Sequence, residues 1–400
     1  MHPTRLPVRF PSVLVAICLL AACGGGGGGG SGGTPVATPT PVATPPPGAT
    51  PTPAPAGAFA DFEREIQAFV DERDDVDGAG AIVVDRERGV VYRRAFGSFS
   101  EDRVYLIASS SKMITAGVLL RLADQGLLDL DAPLADAVPW GAGNPSVTPA
   151  QLLSNSSGLV GLFPTPAYAP YVCQYVFGGT IQDCARQIFT STGDDRDVIP
   201  PDTGFRYGGA QWQVAGGLAE AVSGRSWADL VRETYVEPCG LRKLGYGNHF
   251  VQFRPGPSGY PAGFDGDPSR LEPTENPNME GGAYSDIDDY AKLLLMHLRG
   301  GVCEGGRVLS EDAVRRMRTD RLSEWGGSTG TGFEGYGFGW WIDRQEPSIA
   351  IDPGAYGAVP WIDEERGYAA FLAIEATDAV GLQLFARVRP LANAAIEASR

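Results

Sequence analysis

Histidine and lysine are the scarce residues of this 400-residue chain. The three histidines, His2, His249 and His297, form no H-x-x-x-H pattern and no cysteine–histidine cluster, which argues against a zinc enzyme. The sequence implies no metal and no cofactor. Of 32 basic residues only Lys112, Lys243 and Lys292 are lysines; the rest are arginine. Forty-eight acidic residues give a net charge of −16, and such a surface repels nucleic acid. Beyond the first residues no apolar run approaches the length of a membrane span.

The N-terminus reads as an export signal. Arg5 and Arg9 precede an apolar stretch from Val13 to Ala22, too short to cross a bilayer. It ends Leu20-Ala21-Ala22-Cys23, which resembles a bacterial lipobox. The resemblance implies a signal peptide over residues 1–22, cleavage before Cys23 and lipidation of Cys23. That would place the protein outside the cytoplasm, tied to the bacterial envelope by its lipid alone. The alternative is an ordinary signal peptide with a chance cysteine. Gly24 in place of an aspartate gives no inner-membrane retention signal. Residues 23–57 hold a glycine run (Gly24 to Gly30) and Thr-Pro repeats, the composition of a disordered tether. The remainder, 58–400, is long enough for one large domain.

Four cysteines lie in that domain: Cys173, Cys184, Cys239 and Cys303. An even number in an exported chain points to disulfides, with three pairings open. Cys173–Cys184, close in sequence, and then Cys239–Cys303 are favoured; four buried thiols are the alternative.

Two motif matches lack the context their chemistry needs. Gly326-Gly327-Ser328-Thr329-Gly330 fits G-x-S-x-G, but no buried strand precedes it and no helix follows. Gly330-x-Gly332-x-x-Gly335 fits a dinucleotide loop with the same defect. A Ser-His-Asp triad would have to use His249, since His297 sits in an apolar helical stretch.

Ser109 and Lys112 are different. Arginine cannot release its proton in a protein, whereas burial or nearby positive charge can make a lysine a neutral base. Tyr105 to Ala108 is apolar, Ser109-Ser110-Ser111 breaks the run, and Ile114, Val118, Leu119 and Leu122 mark a helix that stops at Gly126. Residues three apart share a helix face, so the hydroxyl and amine can meet. The helix N-terminus offers N–H groups to an oxyanion. Taken alone, Ser109 would read as a helix cap and Lys112 as an exposed residue.

The surroundings change that. Ile107-Ala108-Ser109-Ser110-Ser111-Lys112, Asp124 to Pro133, Gln151 to Leu159, Pro201 to Gly209, Gly281 to Asp289 and Tyr336 to Trp340 together resemble the serine beta-lactamase-like family of class C beta-lactamases, DD-peptidases and esterases. The resemblance spans nearly the whole domain, in the family's order. It implies that Ser109 forms an acyl-enzyme while Lys112 and Tyr207 exchange the protons. It also implies an oxyanion hole from the backbone N–H groups of Ser109 and Ala355.

Two positions depart from the family. The asparagine of its Y-x-N element is Gly209, which removes a side chain that would orient a substrate amide. Its third motif, Lys or His, any residue, Gly, is matched best by Asp352-Pro353-Gly354. An acid at Asp352 would repel a carboxylate-bearing substrate; alternatively Asp352 is a surface acid. The expectation is an esterase or amidase acting on uncharged or cationic acyl substrates. A beta-lactamase or DD-peptidase is the first alternative, and an inactive envelope binding protein the second.

The fold expected is α+β, an α/β sandwich of beta-lactamase/transpeptidase type. Ala81–Val84 and Val90–Tyr92 flank Asp85 to Gly89 as a hairpin, and Ala358–Ile362 and Tyr368–Ile374 flank Asp363 to Gly367 as another. Phe62, Ile66, Phe69 and Val70 mark an N-terminal helix. Leu382, Phe385, Leu391 and Ile396 mark a C-terminal one, interrupted by Pro390. The sheet lobe thus takes about 58–101 and 331–400, and a mostly helical lobe takes 102–330. The site lies at their junction, with residues 160–200 looping over the cleft.

Overall fold

A computed structural model describes residues 57–163 and 167–400. The expected signal peptide, Cys23 and all of the tether before Gly57 lie outside the described residues.

The main sheet has seven strands, drawn from both ends of the domain. Strand β1 (Gly78–Asp85) pairs with β2 (Gly89–Gly97) on one side and with Tyr368–Ile374 on the other. The order continues through Ala358–Asp363, Ile349–Ile351, Trp341–Ile342 and Gly335–Tyr336, antiparallel throughout. The register Ile82↔Phe371 sets the alternation. Ile82, Val84 and Phe371 face the core shared with the helical lobe. Ala79, Ala81 and Val83 face a second core under the terminal helices. Both faces are covered, so β1 is buried along its whole length.

Helix α1 (Ala60–Asp71) buries Phe62, Ile66, Phe69 and Val70, the stripe its sequence spacing predicts. At the other end, Asp378–Ala398 is one continuous helix that contains Pro390. The expected interruption does not occur. Proline frees the carbonyl four residues earlier, at Ala386. Ala386 and Pro390 are both exposed, so the break falls on the solvent side of the helix. Leu384, Val388, Ala392 and Ile396 on the opposite face pin the helix to the sheet.

Between the sheet segments lies the mostly helical lobe, centred on α2 (Lys112–Asp124) and the Ala210–Ser223 helix. A small sheet of Tyr105–Leu106, Ala283–Ser285 and Gly245–Tyr246 joins its parts. Cys173 is bonded to Cys184, and Cys239 to Cys303.

Candidate active site

Ser109 sits in a 3-10 turn, Ala108–Ser111, that runs directly into α2. The turn is entered through Ala108 at φ 45°, a left-handed conformation that is strained for a residue with a side chain. The three consecutive serines then separate by role. Ser110 Oγ donates to the Asp352 carbonyl at 2.6 Å, and Ser111 Oγ donates to the Ala108 carbonyl at 2.6 Å. Both are buried. Only Ser109 of the three remains partly open to solvent.

Lys112 is fully buried, and its stem points back along the helix to Ser109. Its Nζ lies 3.1 Å from Ser109 Oγ, 3.0 Å from the Glu280 carbonyl and 3.5 Å from Glu280 Oε2. Nζ also stands 4.6 Å from the centre of the Tyr207 ring. The structure therefore brings Ser109, Lys112 and Tyr207 together.

The Tyr207 loop is held from behind by Asn155, itself left-handed at φ 54°. Asn155 Oδ1 accepts from Gln211 Nε2 at 2.7 Å and Trp212 Nε1 at 3.1 Å, and its carbonyl accepts from Arg206 N at 2.8 Å. Asp202 anchors the same loop through Ser156 Oγ and Gln151 Nε2, each at 2.7 Å. Trp341 and Tyr336 pack on the Tyr207 ring with centroids 5.1 and 6.3 Å away. The Gln151–Leu159 and Tyr336–Trp340 motifs thus position the phenol.

Burial pulls the Lys112 pKa down, but Tyr207, Glu280 and Asp352 push it up, and it ends above the ordinary lysine value. The balance therefore does not favour the expected resting neutral amine: the pull of these neighbours, Glu280 the one within ion-pair distance, outweighs desolvation. Burial likewise raises Tyr207, against the pull of Lys112 and hydrogen bonding toward Ser109, so the phenol rests neutral.

Asp352 is also corrected. It is neither a surface acid nor exposed to a substrate. Its Oδ2 accepts from the Met113 N–H at 3.3 Å, beneath the start of α2. Burial raises its pKa well above the usual carboxylate range, and its closed position keeps the carboxyl out of the cleft. Gly354 follows where no side chain fits: a Cβ would overlap the Ile107 carbonyl. That close approach sets this segment against Ile107 and Ser110, which flank the nucleophile's position in the chain. The next residue, Ala355, is exposed, and its N–H has no acceptor among the described residues.

Glu280 is the residue that motif reading misses. It precedes Gly281-Gly282 and carries no signature of its own; only the fold brings it 168 positions back to Lys112. Gly209 lies against it: a Cβ there would overlap Glu280 Oε1 and Gln174 Oε1. The empty position of the Y-x-N element is therefore filled from elsewhere.

The His249 ring stacks on Phe250 with centroids 4.6 Å apart, neither of its nitrogens makes a hydrogen bond among the described residues, and its pKa is pushed down to about 3 by burial. His297 is buried in its helix, as its apolar neighbours predict. Ser328 is exposed in a loop after a short 3-10 turn, with no strand before it. Phe163, Val172, Val176, Phe177 and Val251 are exposed apolar side chains. Val176 and Val251 adjoin Tyr175 and Phe250, whose rings meet edge to face at 5.5 Å beside Glu280.

Comparison with known proteins bears on the family and the fold. The Beta-lactamase family model matches residues 62–387. Penicillin-binding protein 4 of Amycolatopsis lactamdurans is 28% identical over 241 residues, 58% of this chain and 60% of that protein, under two thirds of its length. Esterase EstB of Burkholderia gladioli is 26% identical over 316 residues, 70% of this chain and 77% of that protein. Among solved structures, a putative beta-lactamase from Bacteroides dorei superposes with a TM-score of 0.65 at 22% identity, covering 83% of this chain and 98% of its own; that likeness shows the fold.

Proposed function

Because this chain belongs to the Beta-lactamase family, we propose that it is a serine hydrolase that cleaves uncharged or cationic ester or amide substrates through an acyl-enzyme on Ser109. One observation carries the reading. Of three adjacent serines, only the open one faces an amine, at 3.1 Å, with a phenol ring against that amine. Nucleophile and base within hydrogen-bond reach is the arrangement covalent acyl transfer needs.

Ser109 Oγ attacks the acyl carbonyl as its proton passes to the neutral form of Lys112. The oxyanion that forms is met by the N–H groups of Ser109 and Ala355. As the tetrahedral centre collapses, the Lys112–Tyr207 pair delivers the proton to the leaving alcohol or amine. Water then attacks the acyl-enzyme, the pair takes its proton, and Ser109 leaves with a proton restored. The sum is ester or amide plus water to acid plus alcohol or amine.

Two features support uncharged or cationic substrates over carboxylates. The position where the family carries a cation is Asp352, closed off beneath α2. The exposed apolar side chains around Tyr175 and Phe250 suit an acyl or alkyl group. Relatives named esterase and penicillin-binding protein keep both chemistries in view. The test is turnover of p-nitrophenyl butyrate against a labelled penicillin. Ester turnover that falls on the order of 10⁴-fold in Ser109→Ala supports the proposal. Penicillin acylation with lactam turnover and no ester turnover favours a beta-lactamase, and no reaction with either favours an inactive binding protein.

By the same reasoning the leader and Cys23 make this a lipid-anchored envelope protein, a reading that palmitate labelling of wild type against Cys23→Ser tests.

A further inference from the structure

Lys112, the amine beside Ser109, has one carboxylate within ion-pair distance among the described residues, and it comes from a distant part of the chain. We propose that Glu280 is the charge partner of Lys112, seated in the space that the absent side chain at Gly209 leaves open, and that it sets the pH at which Ser109 can be activated. The last consequence rests on the serine-hydrolase reading; the pairing stands on geometry alone.

A side chain at 209 and the Glu280 carboxylate exclude one another, because a Cβ on Gly209 would overlap Glu280 Oε1. Glu280 is held at several points. Tyr175 donates its hydroxyl to Oε1 at 3.1 Å, Lys112 Nζ lies 3.5 Å from Oε2, and Nζ donates to the Glu280 carbonyl at 3.0 Å. The side chains of Lys112 and Glu280 are 0% and 7% exposed, so water screens the pair little.

The other groups facing this pair do not replace Glu280. Lys112 is faced by Ser109, by Tyr207, by the Trp212 ring at 6.0 Å and by Asp352, whose pKa burial raises and which makes no ion pair with Nζ among the described residues. Glu280 is faced by Tyr175, Tyr336 and Tyr356, whose phenols burial keeps neutral, and by Gln174. Glu280 is thus the carboxylate within ion-pair reach that favours the ammonium form of Lys112. An ammonium cannot accept the Ser109 proton. Hydroxyl activation therefore waits for deprotonation of Lys112, and kcat/KM rises with pH. Glu280 is a positioning and tuning residue that acts through Lys112.

Scarcity of lysine makes the test direct. Labelling with ¹³Cε-lysine yields three resonances, from Lys112, Lys243 and Lys292, and Lys112→Arg assigns the one of interest. In Glu280→Gln the Lys112 titration is expected to fall by about one pH unit or more, while Lys243 and Lys292 stay in place. The ascending limb of kcat/KM should move down by the same amount, a shift that a merely space-filling Glu280 would not produce. An unmoved Lys112 resonance in folded Glu280→Gln overturns the proposal. Where that variant does not fold, the wild type and Glu280→Asp decide: a wild-type Lys112 midpoint well below the ordinary lysine value overturns it, and a high midpoint that falls in Glu280→Asp supports it. Absence of ester turnover in wild type would refute the hydrolase reading while the titration still judged the pairing. Turnover with an unmoved titration would refute the pairing alone.

Discussion

Gly209→Ala tests how tightly the carboxylate is packed beside the nucleophile's amine. Gly209 has φ −81°, which any residue adopts, so the backbone contributes no strain. The added methyl would instead overlap Glu280 Oε1 and Gln174 Oε1. Gln174 Oε1 has no hydrogen-bond partner among the described residues, so it can swing aside with little loss. Glu280 cannot move without stretching the 3.1 Å bond from Tyr175 and the 3.5 Å pair with Lys112. Overpacking costs about 1–3 kcal/mol and the lost buried hydrogen bond about 1 kcal/mol more, which together give roughly 2–4 kcal/mol of destabilisation. Glu280→Ala removes the obstacle, so the two changes should be strongly non-additive, with a coupling of about 1–3 kcal/mol. Urea denaturation of wild type, both single variants and the double variant measures this. Gly209→Asn, which restores the family's residue, should lower ester turnover for the same reason, and Glu280→Ala should partly recover it. Additive single and double variants would refute the packing argument.

Asp286 caps the Ile287–Leu298 helix, and burial, with Asp289 and Asp288 nearby, raises its pKa to about 6. The native state then holds a proton that the unfolded chain has lost between about pH 4 and about pH 6, so stability falls as pH rises through that window. Asp286→Asn should match wild type at pH 4 and exceed it by about 1–3 kcal/mol at pH 7, read from denaturation at each pH. Asn155→Ala leaves Trp212 Nε1 unpaired and Gln211 Nε2 with only backbone acceptors, at a left-handed site; a loss of about 3 kcal/mol is expected, with ester turnover falling as the Tyr207 loop loosens. Cys239→Ser opens a loop with a sequence separation of 64, Cys173→Ser one of 11. Loop entropy puts the losses at about 4 and about 3 kcal/mol, so the first should lower the melting temperature more.

Much of the fold was legible in the sequence for a local reason. Most hairpin strands are short continuous apolar runs joined by a turn containing glycine, and that pattern needs no knowledge of distant contacts. Ser109 and Lys112 were legible because one helical turn separates them. The C-terminal helix was misread because Pro390 is a local breaker, while its tolerance depends on which face meets the sheet. Asp352 was misplaced because sequence gives a residue's position on a strand end but not whether the chain beyond it covers the side chain. Glu280 was invisible because its partners, Tyr175, Gly209 and Lys112, come from three separate segments. Burial and charge pairing, which fix the protonation of Lys112, arise only after those segments pack.

The identity of the acylated residue is the most direct measurement. Intact protein treated with a fluorophosphonate, digested and analysed by peptide mass should carry one adduct, on the peptide holding Ser109, and none in Ser109→Ala. An adduct on Ser328 or another serine, or the same adduct in the Ser109→Ala protein, would contradict the mechanism.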